Sequence, residues 1–276
     1  DALPIFAAGL LSAQGLSLAD KWAAVRFMRT LASQCFSLPH DRPASTLLAE
    51  QRQPDNLIAK LWEPLCVAAL NTPLDQASAQ VFCNVLRDSL AGPRDASDLV
   101  FNRADLGALF PEAAARFITA RGGTIHLGAK VTGLVKTATG YHLAGVDREA
   151  DRVIVAVHPA RLAALLAGLP ELGDTIAGVA TYAWQPILSL WLRFAQAVPL
   201  PFPMLGLGPG QAPWVFDRNA VAPGLLSVVF SAEGPHLDMP RTQLVEQSLD
   251  LIRARIGSLP ELIDSTVITE KRATFA

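Results

Sequence analysis

Few side chains in this sequence combine the type and the setting that chemistry needs. Glu63 and Asp88 lie in otherwise apolar helical stretches, and the pair Asp217 and Arg218 follows Trp214 and Phe216. Isolated carboxylates are ordinarily solvated, and Glu63 beside Pro64 can simply serve a helix turn, so these groups need support from elsewhere before they carry a role. His40, His126, His142, His158 and His236 are scattered singly; imidazole suits structural and catalytic uses alike, and only His158, directly after an apolar run, has a suggestive place. Cys35, Cys66 and Cys83 are an odd number, with neither C-x-x-C spacing nor a histidine at ligand distance. No metal site or disulfide framework is expected from them, and Cys66 and Cys83, in helical apolar patterns, are expected to pack. The sequence holds no G-x-G-x-x-G, no G-x-x-x-x-G-K-[ST], no H-E-x-x-H and no G-x-S-x-G, so the common phosphate, zinc and serine-nucleophile signatures are missing.

The elements that would position these residues change in kind along the chain. Up to about residue 100 the pattern is helical. Ser17 and Asp20 form an approximate capping box before Trp22, Val25, Phe27, Met28 and Leu31. Asp55 is expected to cap a second helix with rows Leu57, Leu61, Leu65 and Ile58, Trp62, Cys66, which Pro64 should kink or end. A third helix is expected from Asp75 to Leu90, and another from Gly107 to Arg121, stopped by Gly122-Gly123. Strand-length runs follow at Thr124–Leu127, Val131–Lys136 and Tyr141–Ala144, with a continuous buried-type strand at Arg152–Val157. A short helix, Arg161–Ala167, leads to strands at Pro186–Phe194, Trp214–Asp217 and Leu225–Ser231, a helix at Thr242–Ile256 and a last strand at Ser265–Lys271.

Composition bounds the reading. The chain has 276 residues, 51% hydrophobic and 17% charged, against about 25% charged for an average soluble domain. It has ample core material and is not disordered. A net charge of -2, without any block of like charges, argues against nucleic acid. Mean hydropathy is +0.30, yet no apolar window approaches the roughly 18 residues a spanning helix requires.

The run Leu61-Trp62-Glu63-Pro64-Leu65-Cys66-Val67-Ala68-Ala69-Leu70-Asn71-Thr72-Pro73, continued by Ala77-Ser78-Ala79-Gln80-Val81-Phe82 and Asn84-Val85-Leu86-Arg87-Asp88-Ser89-Leu90, resembles the squalene-associated FAD-dependent desaturases, or hydroxysqualene dehydroxylases. Asp105-Leu106-Gly107-Ala108-Leu109-Phe110-Pro111 and Leu127-Gly128-Ala129-Lys130-Val131 are similar to the wider amine-oxidase and phytoene-desaturase superfamily. Pro201-Phe202-Pro203-Met204-Leu205-Gly206-Leu207 and Trp214-Val215-Phe216-Asp217-Arg218 point again to the squalene branch. The resemblance covers the middle of the family pattern, so the chain is expected to be an internal fragment without the glycine-rich FAD fingerprint, purifying without stoichiometric FAD. His158 stands where relatives tend to have proline.

The fold the resemblance implies is α+β: a helix-rich substrate domain with a mixed β-sheet, and an incomplete FAD-binding domain. Residues 1–103 would be the helical part of the substrate domain, 104–167 part of the FAD domain, 168–260 the sheet part of the substrate domain, and 261–276 a return toward the FAD domain. By the same resemblance Val131, Ala156 and Val157 would contact FAD through their main chain, and Trp62, Phe82, Trp214 and Phe216 would line the substrate tunnel. The implied reaction is reductive removal of the hydroxyl of hydroxysqualene to give squalene, which needs an acid, a dry apolar tunnel and hydride from reduced flavin. Glu63, Asp88, Asp217 and Arg218 are the candidates for acid or orienting group. A carotenoid desaturase or another amine-oxidase-like flavoprotein is the alternative, and a non-catalytic apolar-lipid-binding module is the alternative of another class.

A C30 alcohol is costly to move through water at about 0.8 kcal/mol per buried CH₂, so a cytoplasmic protein peripheral at the membrane is expected, alongside other enzymes of squalene synthesis. Val198–Leu205, with Phe202 and Met204, is the expected membrane lip. Leu3, Ile5, Phe6, Leu10 and Leu11 form the competing surface.

Overall fold

A computed structural model describes residues 9–102 and 104–276; Leu3, Ile5 and Phe6 lie outside them. Helix α1 (Leu18–Ser33) starts with a closed capping box, in which Ser17 Oγ accepts from Asp20 N–H and the Asp20 carboxylate accepts from Ser17 N–H. After α2 (Ala44–Glu50), a longer helix begins as α3 (Asp55–Leu57), widens into a π-turn at Ile58–Trp62 and continues as α4 (Glu63–Leu70). Asp55 makes no capping bond; Pro54 holds the cap position, and Asp55 sits in the first turn, where a negative charge suits the helix dipole.

Pro64 does not end this helix. A proline offers no N–H and crowds the carbonyl four residues back, and the wider π-turn relieves that conflict. Glu63 N–H donates to Ile58 O, five residues back. In that register Ala59 O would need the N–H of residue 64, which proline lacks.

Helix α5 (Ala79–Leu90) starts four residues later than expected and is capped by Ser78, whose Oγ accepts from Val81 N–H; Gln76 and Ala77 instead turn back onto Pro73 O. The expected helix Gly107–Arg121 is two pieces, α6 (Leu106–Leu109) and α7 (Pro111–Ala120). The break is Phe110, because the ring of Pro111 disfavours helical backbone at the residue before it.

Strands β1 (Gly133–Lys136), β2 (Tyr141–Ala144) and β3 (Arg148–Ala150) form an antiparallel meander, followed by α8 (Leu162–Leu165) and α9 (Gly173–Ala180). Thr124–Leu127 is no strand, and Val131–Lys136 is a strand only from Gly133. Arg152–Val157 is neither a strand nor buried throughout: Val153 and Val155 pack on Leu134, Leu166 and Leu169, while Ile154 is 95% exposed. A three-stranded sheet gives this run no ladder partner and covers one side of it, so the apolar pattern ends half in water.

Then come β4 (Trp184–Phe194), β5 (Met204–Gly206), β6 (Trp214–Asp217), β7 (Leu225–Ser231), α10 (Arg241–Ile256) and β8 (Leu262–Phe275), the last longer than expected. The five strands order as β5-β6-β7-β4-β8. The α+β class holds, but the expected mixed sheet is antiparallel in every pairing. Loops 207–213 and 218–224 join β5, β6 and β7, and α10 carries the chain past β4 from β7 to β8.

The chain divides into two compact units, one made of the residues up to Phe101 together with Trp184–Ala276, the other of Asn102–Ala183. In the first, α1 to α5 enclose a core in which the Phe27 and Trp62 rings meet edge to face at 5.3 Å, and the Trp62 indole N–H donates to Gln53 Oε1 at 2.9 Å. Cys66 and Cys83 are buried in the same core and Cys35 is exposed. A second core forms where Leu190, Leu192, Val215, Leu226 and Val228 meet Leu244, Leu249 and Ile252 of α10.

Asn71 ties the helices to the sheet. It ends α4 in the left-handed conformation (φ 50°) and is 5% exposed. Pro186 cannot donate to a ladder, and the β4–β8 register shifts there. Asn71 Nδ2 donates to Pro186 O at 3.1 Å and to Thr274 Oγ1 at 2.9 Å, while Oδ1 accepts from Ala232 N–H at 2.7 Å. Beside it the buried Gln185 amide donates to Gln76 Oε1 and accepts from Glu233 N–H.

Candidate active site

Alternation divides the five-stranded sheet into two faces. One is dry, packed on α10. By register the other carries Ile187, Ser189 and Trp191 of β4, Trp214 and Phe216 of β6, Ser227 and Val229 of β7, and Met204 and Gly206 of β5. Three aromatic rings thus stand among small neighbours, and the Trp214 ring lies over Gly206, where a Cβ would meet it at 3.5 Å. Trp191 was not anticipated; the alternation Ile187, Ser189, Trp191 was the available signal.

At the edge of this face the freed Ala59 carbonyl acquires its partner. Gly210 N–H donates to it at 2.6 Å, drawing the loop 207–213 onto the start of α4. Gly210 has φ +66°, and a Cβ there would sit 3.1 Å from Glu63 Oε2, so the loop lies against the carboxyl group. Pro64, Val67 and Ala68 of α4, Gly210, Gln211 and Ala212 of the loop, Trp214 and Ser231 line a hollow of about 10 Å³, near the least volume that holds a water.

Glu63 is half-buried, and among the described residues neither a cation nor a hydrogen-bond donor pairs with it. Burial raises its pKa above the ordinary 4.5. The Cys66 thiol, one helical turn on, is pushed up to about 12 by burial and then by the Glu63 charge, so it stays protonated and is no nucleophile. Across the loop, Gln211 Oε1 lies 3.9 Å from the point a Gly234 Cβ would occupy, and the His236 ring lies 2.9 Å from it. His236 stacks on Phe230 at 5.0 Å, its Nε2 is buried without a partner among the described residues, and burial lowers its pKa against the opposing pull of the Ala232 backbone. Acid and imidazole are both biased to their neutral forms.

The other named residues are placed differently. Asp88 is exposed, paired with Arg87 at 2.7 Å, and held below the ordinary carboxyl range by that guanidinium, which suits a surface ion pair. Asp217 Oδ1 accepts from the backbone and side-chain nitrogens of Asn219, shaping the β6–β7 connection. Arg218 donates from Nε to Ser227 Oγ at 3.2 Å, with its guanidinium 5.4 Å over the Phe216 ring. Trp62 and Phe82 are fully buried in the helical core, apart from Trp214 and Phe216 on the sheet. His158 Nδ1 accepts from Ala160 N–H and caps the short turn Pro159–Arg161.

In the second unit Val131 packs beside Leu134, and Ala156 and Val157 end the extended run 152–157, which pairs with no described strand. Main-chain groups outside any ladder fit main-chain contact with a dinucleotide. Among the described residues no group of His, Cys, Asp or Glu could hold a metal ion.

The charge at Glu63 makes a stability prediction. A carboxyl whose pKa is raised on folding binds more protons folded than unfolded at pH values above 4.5, so its contribution to stability falls as pH rises through the folded value. Glu63→Gln should therefore unfold at higher urea than wild type at pH 7.5, and at the same urea at pH 4. A variant that is no more stable at pH 7.5 would show the carboxylate to be fully solvated.

A hydroxysqualene dehydroxylase of Sinorhizobium fredii is 30% identical over 225 residues, 79% of this chain and 51% of its own length. One from Rhodopseudomonas palustris is 27% identical over 80% of this chain and 51% of its own length. The chain spans about half the length of these curated relatives. A putrescine oxidase redesigned in its cofactor binding superposes with a TM-score of 0.69 at 16% identity, covering 92% of this chain and 62% of that one, which is a likeness of fold. The profile of the flavin containing amine oxidoreductases matches residues 2–272, nearly the whole of the sequence, and the chain belongs to that family.

Proposed function

We propose that this chain carries the substrate-facing part of an FAD-dependent oxidoreductase that removes the hydroxyl of hydroxysqualene reductively, giving squalene for hopanoid or related isoprenoid synthesis. The observation that carries the proposal is Glu63: a half-buried, unpaired carboxyl, biased to its protonated form, at the edge of an aromatic sheet face. Losing an allylic hydroxyl requires a proton on the departing oxygen, and a carboxyl whose pKa is raised by burial holds its proton to higher pH than a solvated one and is suited to give it. The names of the curated relatives support the substrate.

In this reading Glu63 Oε donates the proton, the C–O bond breaks and water leaves. Trp191, Trp214 and Phe216 give the polyene an apolar, polarisable floor, whose ring faces favour the cationic character that develops on carbon. Gly210, without a side chain, leaves the substrate oxygen room beside Glu63. Reduced flavin, when bound, supplies the hydride that closes the new C–H bond. Val131, Ala156 and Val157 would hold the cofactor through their main chain.

The test is anaerobic incubation of the full-length protein with hydroxysqualene and chemically reduced FAD, and in parallel with phytoene and oxidised FAD. Squalene from the first, with no turnover of the second, is the expected result. Desaturated phytoene would favour the carotenoid reading, and binding of both without turnover would favour a lipid-binding module.

A further inference from the structure

We infer that the outward face of α1, centred on Trp22, is where this protein docks on an anionic lipid surface. The inference rests on the chemistry of that face and does not depend on the proposed reaction. The inward side of α1 is used by Asp20, Ala23, Ala24, Phe27, Met28 and Leu31, all buried. Leu18, Trp22, Arg26, Arg29 and Ser33 follow one another at helical spacing along the opposite side, and all are exposed. Leu18 is 72% and Trp22 68% exposed, and Leu11, 66% exposed, joins them through the preceding turn. Lys21 Nζ fixes that turn by donating to Leu11 O at 2.6 Å. An indole and two leucines held outward at once are more than scattered surface apolarity.

Two hollows flank the Trp22 ring, and they differ in chemistry. One, of about 160 Å³, is lined by Leu10, Leu11, Leu18, Lys21, Trp22 and Val25 and is almost wholly apolar. The other, of about 590 Å³, is lined by Trp22, Val25, Arg26, Arg29, Thr30 and Ser33, two guanidinium groups with two hydroxyls. Leucines for the acyl region, an indole at the interface and guanidinium groups at phosphate depth are the ordering that interfacial helices adopt.

Charge commits the face to one occupant. The only acid of α1, Asp20, is buried and occupied by Ser17 and Asn56, leaving Lys21, Arg26 and Arg29 uncompensated on a helix of a protein whose net charge is -2. A basic face complements an anionic bilayer and would repel the same face of a second copy in a two-fold contact.

The rival surface is weaker. Phe202 is 65% exposed, but Val198 is buried, Leu200 and Leu205 pack on the sheet core, and the stretch 195–213 contains no charged residue to meet a head group. No helix among the described residues is long and apolar enough to cross a membrane, so attachment through this face is peripheral.

The experiment is co-sedimentation of the full-length protein with vesicles of phosphatidylglycerol and phosphatidylcholine in equal parts, or of phosphatidylcholine alone, at low and high salt. Wild type should pellet with the anionic vesicles and be released by salt. Trp22→Asp and Leu18→Asp should each lower partitioning about tenfold or more, and Arg26→Glu with Arg29→Glu should abolish the preference for phosphatidylglycerol. Phe202→Asp should bind as wild type does. These positions are exposed, so circular dichroism and gel filtration should match wild type. The inference falls if wild type never pellets, if both aspartate variants pellet like wild type, or if only Phe202→Asp is lost. It also falls if the aspartate variants bind vesicles normally but elute at a changed mass, since the face would then be a protein contact.

Discussion

Exchange of Glu63 for glutamine in the full-length enzyme is expected to cut kcat by roughly 10²–10⁴-fold, the usual span for a lost general acid, with KM changed only a few-fold. Glutamine keeps the shape and can still donate a hydrogen bond, so the substrate oxygen is still met, but no proton can be handed over. The pH dependence makes the assignment specific. Burial raises the Glu63 pKa, so the protonated, competent fraction declines as pH rises past that raised value. Wild-type kcat should therefore fall on the alkaline side with this group's pKa, and the glutamine variant should be slow and flat across the same range. A variant that is slow but keeps the alkaline fall would assign the proton to another group. Taken with its expected gain in stability at pH 7.5, the substitution should make the protein firmer and the enzyme poorer, the trade expected where a charge is kept in an unfavourable place for use.

Asn71→Ala should lower stability by roughly 3–8 kcal/mol. Its amide leaves behind Pro186 O and Ala232 N–H, both in buried surroundings, and each unsatisfied group costs about 1–3 kcal/mol. Alanine must also adopt the left-handed backbone of φ 50° at this position, for about 1–2 kcal/mol. Asn71→Gly removes the second cost and keeps the first, so the two variants apportion the loss between backbone and side chain. Ala232 is itself left-handed, at φ 63°, with its N–H held by Asn71, so the alanine variant should also loosen the segment leading to His236. Guanidinium denaturation followed by far-ultraviolet circular dichroism reads the loss. A change below about 1 kcal/mol would mean that water replaces the amide at both sites.

What the sequence disclosed depended on how local the cause was. The capping box at Ser17 needs four residues and is found as read. Trp214–Asp217 and Leu225–Ser231 match their expected limits because alternation across one covered face is written in each strand. Arg152–Val157 failed because burial of a strand depends on neighbours that a short apolar run does not name. Pro64 misled for a related reason: a proline's lost hydrogen bond can be absorbed by a π-turn, and the carbonyl it orphans is satisfied by Gly210, far along the chain. The family was legible in the long run from Leu61 to Leu90, and the comparisons support it. Glu63 could be named from sequence, but not the loop that crowds it, since only the fold brings Gly210 to that carboxyl. Trp191 was passed over inside Pro186–Phe194, which was read only as a strand.

The chain leaves its first unit after Phe101 and returns at Trp184, and this excursion bears on how the molecule persists once folded. Asn71 is bonded to partners 115, 161 and 203 residues away. Bringing such distant segments together is entropically expensive before any reward arrives, so the helices can consolidate early while the amide finds its three partners only near the end of folding. Contacts that form after the rate-limiting barrier act mainly on the reverse reaction. The clamp is thus a latch rather than a nucleus: it does little to hasten assembly, and it sets how long an assembled molecule stays shut before the sheet and helices part.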